Sequence, residues 1–424
     1  MKRLLKSIAA FSLALCARAV VRRYRPRIVM VTGSVGKTSA KDAVAAALAA
    51  RFLVRKSEKS FNSEFGVPFT ILGVGNPWNN PLAWFSVLKS ALALLILPNH
   101  YPNMLVLEVG ADKPGDLARI LHIATPNAVV VTRLPEIPVH VEAYASPEAV
   151  REEEFSPAYA LAGGAPLIIP LGGSHAPRMA ARTSARIFSY GAARGATVRI
   201  SAARFYEEGG KVAGMAADVA QGEEKGRLIV RGSVGETQLL PAAAALAAAA
   251  AFDIPLPEAL ERLERYEPPP GRGRLFAGVN GSVVIDDSYN SSPAAVEEAL
   301  RTLKAFPHAK RRIAVLGDML ELGRYSVAEH ERIGSLAAAA ADVVAAVGIR
   351  ARAFAAASDD ACGMTFDDAR AAAAALPDIV RAGDVVLVKG SQSVRTERIV
   401  KALLARPEDC VQLVRQEKRW EKKV

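Results

Sequence analysis

The stretch from Ile28 to Leu48 leaves few folds open to this chain. Four apolar residues, Ile28 to Val31, run into the turn Thr32-Gly33-Ser34-Val35-Gly36. Lys37, Thr38, Ser39 and a helical pattern through Leu48 follow. A buried strand, a glycine turn and a helix N-terminus in that order make a phosphate cradle, because backbone N–H groups and the helix dipole both attract an anion. Lys37 can reach the outer phosphates of a nucleoside triphosphate, and the Thr38 hydroxyl can ligate Mg²⁺. The spacing departs from the usual phosphate loop at one place, where Val31 stands in for the first glycine. A glycine turn before a helix also occurs as plain α/β architecture, but the Gly36-Lys37-Thr38 that follows points to a bound triphosphate.

Alternation of strands and helices continues from there. Met104–Val109 and Ala128–Thr132 are continuous apolar runs of strand length, as in buried parallel strands. The expected fold is a doubly wound α/β phosphate-loop domain with ligands at the carboxyl ends of its strands. The segment 196–232 reads as a small antiparallel excursion within it, and the alanine-rich run 241–252 as a packed helix. Glu267-Pro-Pro-Pro-Gly-Arg-Gly-Arg274 reads as a linker. After it, runs at 282–286, 312–316, 343–347 and 384–388 predict four buried strands of a second, Rossmann-like α/β domain. The boundaries that result are 1–27 for a basic apolar N-terminal helix, 28–267 for the central domain and 274–424 for the C-terminal domain.

At 424 residues the chain has room for two or three domains, and its three cysteines are too scattered for a disulfide framework or a zinc site. The cytoplasm is the compartment this suggests. Eight basic residues and no acidic one precede Ile28, and they account for most of the net charge of +11. The rest carries no nucleic-acid footprint, and an anionic membrane surface is the better candidate for the basic segment. Lys6 and Arg18 interrupt the apolar stretch Leu4–Val21, so it falls short of the ~20 apolar residues of a spanning helix. It is expected to lie on the inner membrane face or to pack on the protein. A second apolar run, Leu82–Leu97, contains Lys89 and Ser90 and fits either a buried helix or a lipid contact.

Several polar residues stand at predicted strand ends. Glu108 closes the Met104 strand, in position for a Mg²⁺ ligand, and His140 lies in a loop after the next strand. Asp286-Asp287-Ser288-Tyr289-Asn290, Gly317-Asp318 through Glu321, and Lys389-Gly390-Ser391 follow strands of the second domain. Helix capping explains one such cluster well, but three at the strand ends of one domain suggest a site.

In order, Thr32–Ser39, Phe61–Leu72, Leu107–Asp112, His140–Glu142, Gly273–Leu275, Asp286–Pro293, Leu316–Gly323 and Leu387–Ser391 resemble the motifs of the Mur ligase family. Within it they are most similar to the ligases that add D-alanyl-D-alanine to the peptidoglycan precursor. The resemblance extends over about Ile28 to Leu404. It implies ATP-dependent amide-bond formation, in which the γ-phosphate activates a muropeptide or other carboxylate and a dipeptide or similar amine attacks the acyl phosphate. It further implies that Lys37 and the Gly33–Gly36 amides hold the phosphates, with Thr32 and Ser39 in the same loop. Thr38 and Glu108 hold one Mg²⁺, and His140 ligates a second. Asn290, Arg274 and Asp318 face the nucleotide, while Asn62, Lys389 and Ser391 face substrate. Closure about the linker then assembles the site and excludes water.

The sequence departs from the family pattern twice. Where the family carries a carbamylated lysine, fourteen residues after the histidine, this chain has Glu154. A glutamate keeps the anionic charge, so functional replacement is expected, and loss of the second metal is the alternative. Only about 27 residues precede the first strand, too few for the sugar-nucleotide domain that usually stands there. The expectation is therefore that the uridine end is recognised elsewhere. Two other readings stay open: a lipid-linked or non-cell-wall carboxylate as acceptor, and a catalytically silent ATP-binding scaffold.

Overall fold

The structure, a computed structural model, describes residues 2–58, 60–77, 80–172, 175–357, 362–417 and 420. The side chains of residues 2–8, including the basic Lys2, Arg3 and Lys6 of the N-terminal segment, fall outside this description, as do that of Cys362 and the last residues of the 274–424 segment.

The first sheet comprises β1 (Arg27–Thr32), β2 (Val54–Lys56), β3 (Met104–Glu108), β4 (Ala128–Val131), β5 (Pro166–Pro170), β6 (Arg186–Gly191), β7 (Val198–Glu208), β8 (Lys211–Gln221) and β9 (Glu224–Arg231). Their order is β2-β3-β1-β4-β5-β6-β7-β8-β9, parallel as far as β7 and antiparallel beyond. The antiparallel excursion is therefore an extension of the same sheet. Strand direction decides the two faces of β1. Val29 and Val31 pack under the helices Lys37–Leu48 and Glu236–Ala251, while Ile28 and Met30 face the opposite layer.

Alanine content explains the first layer. Ala242 through Ala249 are fully or almost fully buried in the helix Glu236–Ala251, which packs along Lys37–Leu48, itself lined by Ala40, Ala43 and Ala47. Small side chains let two helices approach closely and hold the phosphate-loop helix firmly against the sheet. The opposite layer contains the helix Lys2–Tyr24, which buries Leu13, Ala17 and Val20 in the same core as Ile28 and Met30 and packs on the helices Gly66–Leu72 and Pro81–Ile96. The N-terminal segment thus packs on the protein. Among the described residues, no helix is long and apolar enough to cross a membrane.

The second sheet comprises β10 (Arg274–Ala277), β11 (Val283–Asp287), β12 (Arg311–Gly317), β13 (Val343–Val347), β14 (Cys362–Phe366) and β15 (Asp384–Lys389). Its order is β10-β11-β15-β12-β13-β14, parallel except for the edge pair β10–β11. Six strands stand where four were expected. β10 is a four-residue antiparallel edge that starts at the last residue of the linker stretch, and β14 (Cys-Gly-Met-Thr-Phe) lacks a continuous apolar run. In the first sheet β2, β5 and β6 escape the sequence for similar reasons: three residues only, prolines at both ends, and an exposed beginning.

Replacing Ala243 by leucine inserts three carbons into a fully buried helix interface. Overpacking of this kind is expected to cost about 1–3 kcal/mol of folding stability, measurable by urea unfolding of the purified variant.

Candidate active site

Parallel pairing of β1 with β3 sets Val31 opposite Glu108, so the glycine turn after β1 meets the Glu108 carboxylate. Gly33, at φ +115°, passes so close to β4 that a Cβ would lie 2.5 Å from Thr132 Oγ1, and only glycine fits there. The Ser34 and Val35 N–H groups both donate to the Arg133 carbonyl, at 3.0 and 3.4 Å. They are committed to the loop's own shape. The N–H groups of the first helical turn after Gly36 are the anion donors that helix geometry leaves unpaired. Lys37 Nζ folds back onto the Gly33 carbonyl. Thr32 and Ser39 are buried, Thr32 bonding through its hydroxyl to the Glu154 carbonyl and Ser39 accepting from Tyr266 through its carbonyl.

Glu108 is 2 % exposed. Its Oε1 accepts from Thr38 Oγ1 at 3.2 Å, whereas its Oε2 has no hydrogen-bond partner. Burial pushes this carboxyl above the ordinary range, and the charges of Lys41, Lys37 and Arg272 oppose that. A buried carboxylate oxygen without a partner, next to a hydroxyl at a phosphate loop, is a hard-oxygen donor set that fits Mg²⁺. Among the described residues no three His, Cys, Asp or Glu side chains converge as a metal site. The protein thus offers few ligands, as suits an ion whose remaining positions go to phosphate and water.

Glu154, on the helix Pro147–Tyr159, is 3 % exposed. Its Oε2 accepts from Ser34 Oγ, and its Oε1 lies 4.0 Å from Lys37 Nζ. Burial raises its pKa, against the pull of Lys37, the Ser34 hydroxyl and His140. The carboxylate therefore sits on the phosphate loop itself. His140, in the left-handed region at φ 66°, points Nδ1 at Glu321 Oε2, 2.8 Å away, with Nε2 3.6 Å from Asp112 Oδ1. Burial lowers the imidazole pKa, but the bond to Glu321 and the charges of Glu321 and Asp112 outweigh it and leave the net shift upward.

These groups line a cleft of about 600 Å³ between the two domains. Of the residues anticipated from sequence, Ser34, Gly36, Lys37, Thr38, Asn62, Glu108, His140, Glu154, Asn290 and Ser391 line it. Val35 faces a neighbouring pocket. Three assignments from the second domain do not match their placement. Arg274 reaches Gln412 at 2.7 Å along the β10 edge, and Arg272, two residues earlier, lines the cleft with its guanidinium over the Tyr289 ring at 4.1 Å. Lys389 is 2 % exposed and bonds Asp287 Oδ2 at 2.7 Å and the Asn290 carbonyl at 2.9 Å, because β11–β15 pairing sets it opposite Asp287. It shapes the Asn290 loop from beneath. Asp318 accepts from the Ala351 N–H at 2.7 Å and lies against Gly348, inside its own domain.

Sequence reading missed Ser60, Arg272, Tyr289 and Glu321 as site residues. Tyr289 donates to Ser60 Oγ at 2.8 Å, and Ser60 lies 3.0 Å from Thr38 Oγ1, so a hydrogen-bonded chain runs from the second domain to Glu108. Tyr289 and Glu321 stand inside motifs already singled out, whereas Ser60 has no local signal at all.

Removing the Lys389 ammonium leaves Asp287 without its partner. Lys389→Met is expected to lower stability by roughly 3 kcal/mol in urea unfolding. A loss of turnover with unchanged stability would instead make Lys389 a substrate contact.

Comparison with known proteins agrees with this architecture. The Mur ligase middle domain matches residues 31–249, and the Mur ligase, glutamate ligase domain matches residues 271–392. The UDP-N-acetylmuramoyl-tripeptide–D-alanyl-D-alanine ligase of Bacillus subtilis is 26% identical over 92% of this chain and 79% of its own length. The ligase of the same name from Escherichia coli is 26% identical over 91% and 78%. Among solved structures, a MurF ligase from Thermotoga maritima in complex with ADP superposes with a TM-score of 0.76 at 24% identity, covering 93% of this chain and 83% of that one. With the middle-domain match spanning half of its residues, the chain belongs to the Mur ligase family.

Proposed function

We propose that this protein is an ATP-dependent amide ligase of cell-wall precursor synthesis, adding D-alanyl-D-alanine or a similar amine to a muropeptide carboxylate through an acyl phosphate. The observation that carries the reading is the convergence of the phosphate loop, Glu108 and His140 with Asn290 and Ser391 of the second domain on one cleft. The relatives named for this reaction point the same way. Cytoplasmic location, with contact of residues 1–27 at the inner membrane face, belongs to the same reading, as do the domain limits 28–267 and 274–424.

In this mechanism Lys37 exchanges the Gly33 carbonyl for phosphate oxygens when the nucleotide enters. Arg272, rather than Arg274, is the cation that meets the phosphates from the linker. Thr38 and Glu108 would hold one Mg²⁺, and His140, its Nδ1 kept on Glu321, would be the protein ligand toward a second. Such ions neutralise the charge between a γ-phosphate and a carboxylate that must approach each other. Glu154 supplies a permanent carboxylate beside Lys37 and Ser34, and so does without lysine carbamylation. The Tyr289–Ser60 and His140–Glu321 contacts hold the domains closed over the cleft, which protects an acyl phosphate from water.

The direct test is phosphate release with UDP-MurNAc-tripeptide and D-alanyl-D-alanine, where turnover should require both. Tight ATP binding without acceptor-dependent turnover would point to another carboxylate. Lys37→Ala and Arg272→Ala are expected to weaken ATP binding at least about tenfold, and Arg274→Ala to leave it nearly unchanged, as read by calorimetry. Glu154→Gln should lower kcat by roughly 10²-fold. Depletion of carbon dioxide and bicarbonate should leave the unsubstituted enzyme's rate untouched, and a rate that falls on depletion would defeat the proposed role of Glu154.

A further inference from the structure

The helix Pro81–Ile96 is apolar almost all round, with Lys89 as its single charged residue. A helix of that composition is ordinarily buried on every side. Here Val87, Ala91 and Leu94 enter the core and Trp84 and Leu95 pack against it, while Leu82, Phe85, Leu88, Leu92 and Ile96 stand out to solvent at helical spacing, Leu82 at 81 % and Phe85 at 69 % exposure. The neighbouring helix Lys2–Tyr24 repeats the pattern: Leu13, Ala17 and Val20 are buried, and Phe11 and Leu15, one turn apart, are exposed. The two helices are tied at their C-terminal ends, with Arg23 Nη1 donating to the Leu95 carbonyl at 2.7 Å and the Tyr24 hydroxyl to the Leu94 carbonyl at 2.8 Å. Both bury their inner faces in the same core layer, so both exposed stripes look outward from that side of the sheet.

The described charge carried by these two helices has one sign, and the acidic groups beside them, Glu64 and Asp116 at the start of the adjoining helix Asp116–Ile123, are paired with Arg119. Arg18, Arg22, Arg23 and Lys89 are exposed on the two helices, and neither helix contains an acidic residue. The chain has no aspartate or glutamate before Asp42, and none between Glu64 and Glu108. A protein partner for so large an apolar face needs no such bias. An anionic bilayer does: acyl chains accept the apolar side chains, and lipid phosphates attract the arginines.

We propose that the paired helices Lys2–Tyr24 and Pro81–Ile96 form a peripheral docking face for an anionic phospholipid bilayer, inserting Phe11, Leu15, Phe85, Leu88 and Leu92 to headgroup depth. The second helix is the larger apolar contributor, so the face extends well beyond the basic N-terminal segment. None of these residues lines the cleft, so loss of docking and loss of ligase turnover are separately measurable. Each basic residue near an anionic surface strengthens binding by roughly fivefold, an effect that salt screens.

Flotation of the full-length protein with vesicles tests this directly. Binding to phosphatidylcholine–phosphatidylglycerol vesicles is expected, with weaker binding to phosphatidylcholine alone and release at high salt. Phe85→Ser with Leu92→Ser should weaken binding at least about tenfold while leaving the melting temperature unchanged, since both side chains are exposed. Arg18→Ala with Arg22→Ala should erase the preference for the anionic lipid. The proposal is overturned if the unsubstituted protein stays with neither vesicle, or if the Phe85/Leu92 variant floats as well as it does. It is equally overturned if sedimentation shows a dimer that this variant splits and vesicles do not capture, because the face then belongs to a second copy.

Discussion

The parallel pairing of β1 with β3 on one side and β4 on the other is the constraint on which the rest of the site hangs. β1 lies inside the first sheet with both faces buried, so its register is held by core packing. A slip of one residue would exchange the two faces. The register that satisfies the core also sets Glu108 beside Val31 and brings Thr132 under Gly33. Those two proximities shape the phosphate loop and give it a carboxylate neighbour. The alanine-rich layer then fixes the loop's helix from above, where larger side chains would lift it from the sheet.

Upon that frame the cleft accumulates more buried charge than its own partners neutralise. Glu108 and Glu154 are each nearly inaccessible, and each has its proton affinity raised by burial. Lys37 opposes both shifts, and Lys41 and Arg272 that of Glu108, without neutralising either carboxylate fully. Desolvated groups of this kind cost stability and are retained where they meet a ligand. The free Oε2 of Glu108 and the Lys37 ammonium, lodged on a backbone carbonyl, are such groups. The second domain completes the cleft through Tyr289 on Ser60 and Glu321 on His140, which makes domain approach part of the chemistry.

Much of this was legible beforehand because the signals are local. A strand, a glycine turn and a helix start within a dozen residues, and their covalent order dictates a phosphate cradle wherever they fold. Continuous apolar runs revealed β1, β3 and β4 of the first sheet and β11, β12, β13 and β15 of the second, while β5 and β6, inside the first sheet, went unread. The edges stayed hidden, since β10 and β14 owe their extended backbone to a neighbour's hydrogen bonds rather than to their own residues. The same distinction governs the site. Arg272 and Arg274 look interchangeable in Gly-Arg-Gly-Arg, yet one residue of separation follows the turn and the other enters an edge strand that carries its side chain away to Gln412.

Sequence alone determined the two α/β domains, the phosphate loop with Lys37 and Thr38, and the acidic and polar residues held ready at strand ends. Those follow from periodicity and from motif spacing along the chain. Tertiary structure alone decided which strand-end groups share the cleft. It turned Lys389 into a support beneath the Asn290 loop, kept Asp318 within its own domain, and seated Glu154 on Ser34 and Lys37. It also left one side of an apolar helix facing solvent. Each of these depends on which distant segment lies alongside, and strand register and helix packing set that across separations that local pattern does not encode.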